Sequence, residues 1–418
     1  MMEKHVLFLS NGYGEDSFLQ LIATAFIEEA KRQKIPVRLS FMPLVGEGKL
    51  LQDLCRQHPQ QCSLLKSFLP LPYGGVYLGN VFQRLGRLIF DVLSGGAKNT
   101  LQSIYHLARI RRTVDMVVVI GDVFLLLLSF ISLRKKAYLF ACAHTALLHT
   151  KGKPYERLGK FNAHLLHHLV QKIYTRDHPT ALWLQSLGIN ACYLGFVGPL
   201  LPKKNPKSQT ILFLPGHRGD WKENFRFLVT TILHTRSLFP PYLPHFVFPP
   251  EPSTLEIESL VREIGAIPST SSFSLEGLSV TWSQGDYFTR LGDTALVVGF
   301  AGTALEHAAH LGIPCLEPYA TRAIQVNRYF LEKRQKLLLR EALIQGENTP
   351  EKTASILKET ITNLPQMQKK AEDFSKRIWQ NQRNGALYIA QDLLSILCTL
   401  PPLQDIEPVR VDSGNGIR

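Results

Sequence analysis

Short apolar segments alternate with longer amphipathic segments along most of the chain. The apolar segments have the length of β-strands, and amphipathic segments such as Ser17–Gln33 between them predict helices. The predicted strands are His5–Ser10, Val37–Met42, Val114–Ile120, Ala137–Cys142, Ile173–Thr175, Ala191–Leu194, Ile211–Leu214, Phe246–Phe248, Leu278–Thr281 and Ala295–Phe300. This alternation predicts an α/β fold with parallel sheets and right-handed crossovers.

One segment interrupts the alternation and predicts a division into two Rossmann-like halves with a cleft between them. Residues 199–210 are rich in proline, lysine and polar side chains and show no periodicity, which is typical of a linker. We therefore predict a first domain over 1–198 and a second over 211–384. Gly385–Cys398 is amphipathic and predicts a last helix, and 401–418 is a polar tail.

The stretch from Ala295 to Pro318 predicts an anion site. A buried strand over Ala295–Phe300 leads through the small residues Ala301 and Gly302 into a helix over Thr303–Leu311. The amides of such a turn and the positive end of the helix dipole favour a phosphate group. Thr303 and Glu306 also have the spacing of a capping box, which requires no ligand.

The first predicted strand leads into a glycine-containing loop and then a helix. Its sequence, Asn11 to Asp16, is NGYGED, which lacks the glycine spacing of a dinucleotide site. Glu15 and Asp16 would repel phosphate, so we predict that Asn11, Gly12 and Gly14 contact hydroxyl groups on the acceptor side. Glu15 and Asp16 are candidate catalytic bases, with helix capping as the alternative.

Asp122 is the first choice for the catalytic base. It follows the predicted strand Val114–Ile120, and the carboxyl ends of parallel strands face the ligand cleft in such folds. The alternative is that Asp122 caps the helix over Val123–Leu133. That helix is predicted to be fully buried, because it is apolar but too short to cross a bilayer.

Leu64–Leu93 combines aliphatic and aromatic residues with interleaved cations around a Gly-Gly turn. Such a segment lies either in a membrane interface or in the core with its cations reaching to solvent. No signal peptide is apparent, and we expect a cytoplasmic protein, with peripheral contact at the inner membrane face if this segment binds lipid.

Composition narrows the function classes. The 418 residues carry a formal net charge of +13, which favours an anionic partner, and no nucleic-acid-binding motif is present. The six cysteines are scattered, as in proteins with reduced thiols. The histidines at 144, 149, 164, 167 and 168 lack the spacing of a structural zinc site, so no metal is predicted.

Several segments resemble one family. LFLPGHRGDWKENF (212–225) resembles the LLPGSR loop of lipid-A-disaccharide synthase, and GFAGTALEHAAHLGIP (299–314) resembles its SGTATLE segment. The related cyanobacterial-type lipid-A-disaccharide-synthase-like proteins are more similar. They share NGYGED, the Gly-Asp at 121–122, TRDHPTALWLQSLGI (175–189) and AGTALEHAAHLG. The likeness is patchy but spans nearly the whole chain.

The resemblance implies a GT-B fold and a metal-independent, inverting hexosyltransferase of lipid A biosynthesis. It would transfer an N-acetylhexosamine-type group from a UDP-sugar, a co-substrate held by the second domain, to a lipid-linked acceptor on the first, without a further cofactor. The last helix, within 385–400, would cross back onto the first domain. The implied donor-site residues are Gly216, Arg218, Ala301, Gly302, Thr303, Glu306 for the ribose and Gln325 for the sugar.

The sequence also departs from the family pattern. Gly198–Leu201 lacks the usual acid, His217 replaces a serine, and Tyr319–Asn327 lacks the usual glycines. Arg218 could also be a surface residue paired with Asp220 or Glu223. Two alternatives therefore stay open: a catalytically impaired nucleotide-sugar- or lipid-binding relative, and a GT-B-fold nucleotide-sugar epimerase.

Overall fold

A computed structural model describes most of the chain. The described residues are 3–12, 14–66, 95–142, 144–148, 160–198, 202–216, 220–239, 241–250, 252–300, 302–318, 328–380 and 384–400. In the helices that begin at Lys160 and Arg328, side chains are described from 165 and 333 onward.

The first domain contains a parallel sheet with the strand order β3-β2-β1-β4-β5-β6-β7. Its strands are β1 (Lys4–Ser10), β2 (Val37–Pro43), β3 (Cys62–Leu64), β4 (Met116–Ile120), β5 (Ala137–Ala141), β6 (Val170–Thr175) and β7 (Ala191–Cys192). Its helices are α1 (Gly14–Arg32), α2 (Lys49–Gln57), α3 (Ala97–Ile110), α4 (Val123–Leu133), α5 (Lys160–Leu169) and α6 (His178–Ser186). The direction of winding reverses between β1 and β4.

The second domain contains a sheet with the order β10-β11-β12-β9-β8-β13-β14-β15. Its strands are β8 (Thr210–Leu214), β9 (Leu243–Phe248), β10 (Ile267–Pro268), β11 (Ser272–Leu275), β12 (Leu278–Gln284), β13 (Thr294–Gly299), β14 (Cys315–Glu317) and β15 (Leu343–Gln345). The helices from here to the last one are α7 (Trp221–His234), α8 (Thr254–Glu263), α9 (Tyr287–Arg290), α10 (Gly302–His310), α11 (Arg328–Leu339), α12 (Pro350–Thr362), α13 (Leu364–Trp379) and α14 (Gly385–Thr399). Winding reverses between β8 and β13.

The prediction of parallel strands throughout is wrong at one edge of the second sheet. Strands β10, β11 and β12 pair antiparallel. Between β11 and β12 lie only Glu276 and Gly277, whose φ angles are 50° and 81°. Positive φ at both central residues matches the tight turn that joins antiparallel strands, so this short connection leaves no room for a crossover helix.

The predicted return of the last helix to the first domain is confirmed. Ile389 and Leu393 of α14 are buried in the same apolar cluster as Ile22 and Phe26 of α1. The backbone N–H of Gly385 donates to the carbonyl of Phe196 at 2.9 Å, which fixes the start of α14. The two sheets and this helix form the GT-B arrangement.

A shared apolar cluster holds the two domains together. Leu147, Tyr193 and Phe196 of the first domain pack in one cluster with Leu305 and Ala308 of α10. Because burial of apolar surface is the main favourable term in association, this cluster stabilises the contact between the two domains.

Helix α4 has the predicted bounds but not the predicted burial. Phe124 and Ile131 are 55% and 56% exposed, so the expectation of a fully buried helix is wrong. Leu125 and Leu128 face the core while the opposite side of the helix reaches solvent. Within the part of the chain that the structure describes, no helix is long and apolar enough to span a bilayer.

Candidate functional site

The carboxyl ends of β1 and β4 meet at the point where the first sheet reverses its winding. Asn11 follows β1 and Gly121 follows β4, and a Cβ atom added at Gly121 would lie 2.9 Å from the Asn11 side chain. The Asn11 Oδ1 atom is buried and accepts no hydrogen bond from any described residue. Ligands in open α/β sheets bind at such reversal points, so this acceptor is well placed for a ligand donor.

Gly12 forces the loop after β1 into its turn. Its φ is +104°, and a Cβ atom there would lie 2.1 Å from the carbonyl oxygen of Val45. The amide of Glu15 donates to the Gly12 carbonyl at 3.2 Å, and α1 begins at Gly14, around which a Cβ atom would meet open space. The turn thus delivers Glu15 and Asp16 to the first turn of α1.

The two acids of this turn have different environments. Asp16 is buried and accepts a hydrogen bond from the Ser10 hydroxyl, which joins the start of α1 to the end of β1. Burial raises the pKa of Asp16, against the opposing effect of that hydrogen bond. Glu15 is only partly buried; burial also raises its pKa, and the nearby charge of Asp122 raises it further.

Asp122 caps α4, as the alternative to catalysis predicted. Its Oδ1 atom accepts from the amides of Phe124 at 3.0 Å and Leu125 at 3.1 Å. Its Oδ2 atom accepts no hydrogen bond from the described residues. The cap holds the carboxylate in place and leaves one oxygen available to a ligand, so the two roles are compatible.

The winding of the second sheet also reverses, between β8 and β13. Gly299 lies so close to β8 that a Cβ atom would be 2.4 Å from the Leu214 carbonyl oxygen. The chain turns away after each strand, at Gly216 with φ +87° and into α10 at Gly302. Thr303 is exposed in the first turn of α10.

The start of α10 lies against Gln335, a residue that the sequence analysis did not select. A Cβ atom at Gly302 would lie 2.2 Å from the Gln335 Nε2 atom of α11. The predicted capping box is not formed, because Thr303 lies inside α10 and the Glu306 carboxylate contacts another residue.

That residue is Arg176, which follows β6 in the first domain. Its Nη2 atom donates to Glu306 Oε1, and its Nη1 atom donates to the Cys142 carbonyl at 3.1 Å. The side chains are 21% and 20% exposed, so the pair is partly buried at the domain boundary. Sequence reasoning did not select Arg176, although it follows a predicted strand and lies in the family-like TRDHP segment.

Three charged side chains of the first domain act on the Cys142 thiol. Burial raises the pKa of this thiol to about 12; the charges of Glu15 and Asp122 act in the same direction, and Arg176 opposes them. These three charges therefore act on the same thiol, and Arg176 also pairs with Glu306 of the second domain.

The charge of Arg176 also acts on His307, a residue of α10. Burial lowers its pKa to about 4, and the positive charge of Arg176 acts in the same direction. Its ring packs against Phe196 and Phe288 at centroid distances of 5.4 and 5.1 Å. The neutral ring adds no charge beside Arg176 at pH 7.

Three of the predicted site residues lie outside the described residues: Arg218, Ala301 and Gln325.

Among the side chains that are described, no group of three or more histidine, cysteine, aspartate or glutamate residues is placed to hold a metal ion. Exposed His167 and His168 of α5 pack edge to face with each other.

No protein-family model and no curated protein matches the sequence. Solved structures match over nearly the full length. The UDP-GlcNAc 2-epimerase from Neisseria meningitidis bound to UDP-GlcNAc is 13% identical, with a TM-score of 0.53 over 95% of this chain and 100% of that chain.

Two further structures are similar to the same extent. A putative UDP-N-acetylglucosamine 2-epimerase from Listeria monocytogenes is 13% identical, with a TM-score of 0.53 over 95% of this chain and 96% of that chain. UGT2 of Phytolacca americana, complexed with UDP-2fluoro-glucose and pterostilbene, is 10% identical, with a TM-score of 0.52 over 94% of this chain and 99% of that chain. At these identities the likeness shows a shared GT-B fold.

Proposed function

We propose that the protein is an enzyme that acts on a UDP-sugar in the cleft between its two domains. The observation that carries the proposal is the contact between Arg176 and Glu306. It joins α10 of the second domain to a first-domain arginine, and the charges of that arginine, Glu15 and Asp122 all act on the Cys142 thiol. A nucleotide-binding element and an acid–base element would then face the same cleft.

The UDP would bind on the second-domain side. A carboxylate such as Glu306 accepts hydrogen bonds from both ribose hydroxyls without a shift of its pKa. The amides at the start of α10 and its helix dipole would stabilise the diphosphate, with Gly216 allowing close approach. Arg218, Ala301 and Gln325 keep the donor-site roles that the resemblance implies.

The reaction that we propose is glycosyl transfer, as in lipid-A-disaccharide synthase. A carboxylate of the first domain removes the proton of an acceptor hydroxyl, whose oxygen bonds to the sugar C1 from the face opposite UDP. The C1–O bond to UDP breaks and UDP leaves with the electron pair. Glu15 suits the base, because burial raises its pKa above that of an ordinary glutamate, which makes its carboxylate a better proton acceptor. Asp122 is the second candidate base.

An exposed apolar surface beside the acceptor side supports a lipid acceptor. Leu101 and Tyr105 of α3 and Phe124 and Ile131 of α4 are all more than half exposed, and α3 packs against α4. The Arg109 guanidinium lies over the Tyr105 ring at 5.6 Å. Apolar side chains mixed with cations suit an anionic lipid interface. The segment first considered for this role, Leu64–Leu93, lies outside the described residues from 67 onward.

Epimerisation of the UDP-sugar is the second candidate. The similar structures from Neisseria meningitidis and Listeria monocytogenes are described as a UDP-GlcNAc 2-epimerase and a putative UDP-N-acetylglucosamine 2-epimerase. Such a reaction needs two acid–base groups beside the sugar, and the charge of Asp122 acts directly on Glu15. An epimerase would need no lipid acceptor.

Incubation with UDP-N-acetylglucosamine in deuterated water separates the candidates. Lipid-dependent release of UDP supports transfer. Deuterium at the sugar C2 without lipid supports epimerisation. Binding without turnover, unaffected by Glu15→Gln or Asp122→Asn, supports an impaired binding protein. Absence of calorimetric binding of both UDP and UDP-N-acetylglucosamine, with a Glu306→Ala variant that behaves like the wild type, contradicts the proposed function.

A further inference from the structure

We propose that Arg176 is the residue that binds the diphosphate of the UDP-sugar, and that Glu306 occupies it only while the cleft is empty. This inference rests on the proposed function and extends it to a residue of the opposite domain. It starts from the finding that the carboxylate assigned to the ribose is already bound to a cation.

The ribose and Arg176 compete for the same group. The Oε1 atom of Glu306 accepts the hydrogen bond from Arg176, and a ribose diol would use both carboxylate oxygens. Binding of the nucleoside therefore weakens the Arg176–Glu306 pair. The energy of that pair is part of the cost of binding the nucleoside.

Arg176 cannot be left without an anion at low cost. Its side chain is only 21% exposed, and its Nη1 atom is held by the Cys142 carbonyl at 3.1 Å, which keeps the guanidinium at the cleft. Breaking a partly buried ion pair by removing one partner is costly, because the remaining charge is poorly solvated. A ligand that takes Glu306 removes this carboxylate from the guanidinium, and UDP carries an anion that can replace it.

The distance to a diphosphate at α10 is short enough for this exchange. Glu306 lies four residues after Gly302, the first residue of α10, and four residues rise about 6 Å along a helix. A rotation of the long arginine side chain, in which Nη1 leaves the Cys142 carbonyl, covers such a distance. Its planar fork matches two phosphate oxygens, and such charge-assisted bonds are stronger than neutral ones.

Binding of the UDP-sugar would then change the contact between the two domains. Arg176 belongs to the first domain and α10 to the second, so a diphosphate bound by both would replace one interdomain ion pair by another. Glu15 and Asp122 would then stay free of an arginine partner and remain available as bases. If Arg176 moved to Glu15 instead, the base would be neutralised by a cation.

Calorimetry with uridine, UDP and inorganic pyrophosphate, without added metal, tests the exchange. Arg176→Met should weaken UDP binding at least about tenfold, because charge-assisted bonds to the diphosphate are lost. It should leave uridine binding equal or tighter, because Glu306 is released. Glu306→Gln should weaken uridine binding and tighten pyrophosphate binding, because Arg176 is released.

Matched controls exclude a general charge effect. Lys204 and Glu372 form another partly buried ion pair at 2.9 Å, and Lys204 also donates to the carbonyl of Gly312, beyond the C-terminal end of α10. Lys204→Met and Glu372→Gln make the same charge changes and should leave the affinity for all three ligands unchanged. Arg176→Lys keeps the charge but lacks the planar guanidinium, so it should retain part of the UDP affinity. Its UDP affinity tests the inference if Arg176→Met does not fold.

Two results would overturn the inference. One is an equal loss of uridine and UDP affinity in Arg176→Met and Arg176→Lys. The other is a pyrophosphate affinity in Glu306→Gln that equals the wild-type value. A wild-type protein that binds neither uridine nor UDP contradicts the proposed function itself, whereas UDP binding with an unchanged UDP-to-uridine ratio in both Arg176 variants contradicts only the role of Arg176.

Discussion

The Tyr174 hydroxyl of the first sheet donates a hydrogen bond of 2.6 Å to Asp392 of the last helix. Lys172, two residues earlier on β6, donates to the same oxygen at 2.8 Å. Because Tyr174 is fully buried, its hydroxyl depends on Asp392 for a partner. This contact ties α14 to the sheet that carries Arg176.

The first prediction concerns the hydrogen bond between Tyr174 and Asp392. Asp392→Ala should destabilise the docked α14 by about 1–3 kcal/mol, because a buried hydroxyl loses its acceptor. Hydrogen exchange over 385–399, followed by mass spectrometry, should show faster exchange. Asp53→Ala, which removes the exposed pair of Asp53 with Arg56, should cost about 0.5 kcal/mol or less. Equal protection of α14 in both variants would contradict the role of Asp392.

The second prediction concerns the loop that carries the acids. Gly12→Ala should lower the free energy of unfolding by about 1–3 kcal/mol, because the residue has positive φ and a Cβ atom would strike the Val45 carbonyl. Gly14→Ala in the same loop meets open space and should change it by less than about 1 kcal/mol. Chemical denaturation measures both, and a Gly12→Ala protein as stable as Gly14→Ala would show that the loop shape is not required.

The third prediction concerns the pH dependence of turnover. If Glu15 is the base, activity rises with pH as Glu15 loses its proton, at a pKa raised by burial and by Asp122. Asp122→Asn removes a negative charge, so the pKa of Glu15 falls and the acidic limb of kcat/KM moves to lower pH. Asp286→Asn, at an ion pair with Arg290 of the second domain whose charge is not among the influences on Glu15, should leave the limb in place. If Asp122→Asn leaves the acidic limb of kcat/KM at the same pH, Glu15 is not the base.

The fourth prediction concerns stability in mild acid. The pKa values of His5, His245 and His307 are each lowered from 6.5 to about 4 by burial. The unfolded state then binds more protons between these values, so stability falls as the pH drops from about 6.5 to 4, by on the order of 2–3 kcal/mol per histidine at most. Denaturant titration across this range measures the loss. His245→Gln should reduce it, and an unchanged pH slope in that variant would contradict a neutral buried His245.

The fifth prediction concerns the exposed surface of α3 and α4. Leu101→Asp and Ile131→Asp should each weaken binding to vesicles of phosphatidylglycerol and phosphatidylcholine several-fold, because they remove apolar area and add a negative charge. Leu255→Asp, at a residue 75% exposed on α8 of the other domain, is the matched control and should bind like the wild type. Co-sedimentation gives the measurement, and a parallel loss in all variants would indicate nonspecific attraction.

Much of the first domain could be predicted because most of its longer strands and helices have a local signal. The bounds of β1 and α4 were predicted within one residue, since alternating apolar runs and an N-cap aspartate are local properties. The β11–β12 hairpin was missed because Glu276 and Gly277 form a weaker turn signal than Asn-Gly. The short β3 and β15 have too few residues for a periodic pattern.

The sequence by itself determined the α/β class, the loop acids and the position of Glu306 after a strand and turn. These depend on neighbours within a few residues. Only the tertiary structure decided that Glu306 binds Arg176, 130 residues away, rather than capping its own helix. It also decided that one side of α4 faces solvent and that Asn11 meets Gly121. Such pairings depend on how two sheets are wound and docked, and no local pattern encodes them.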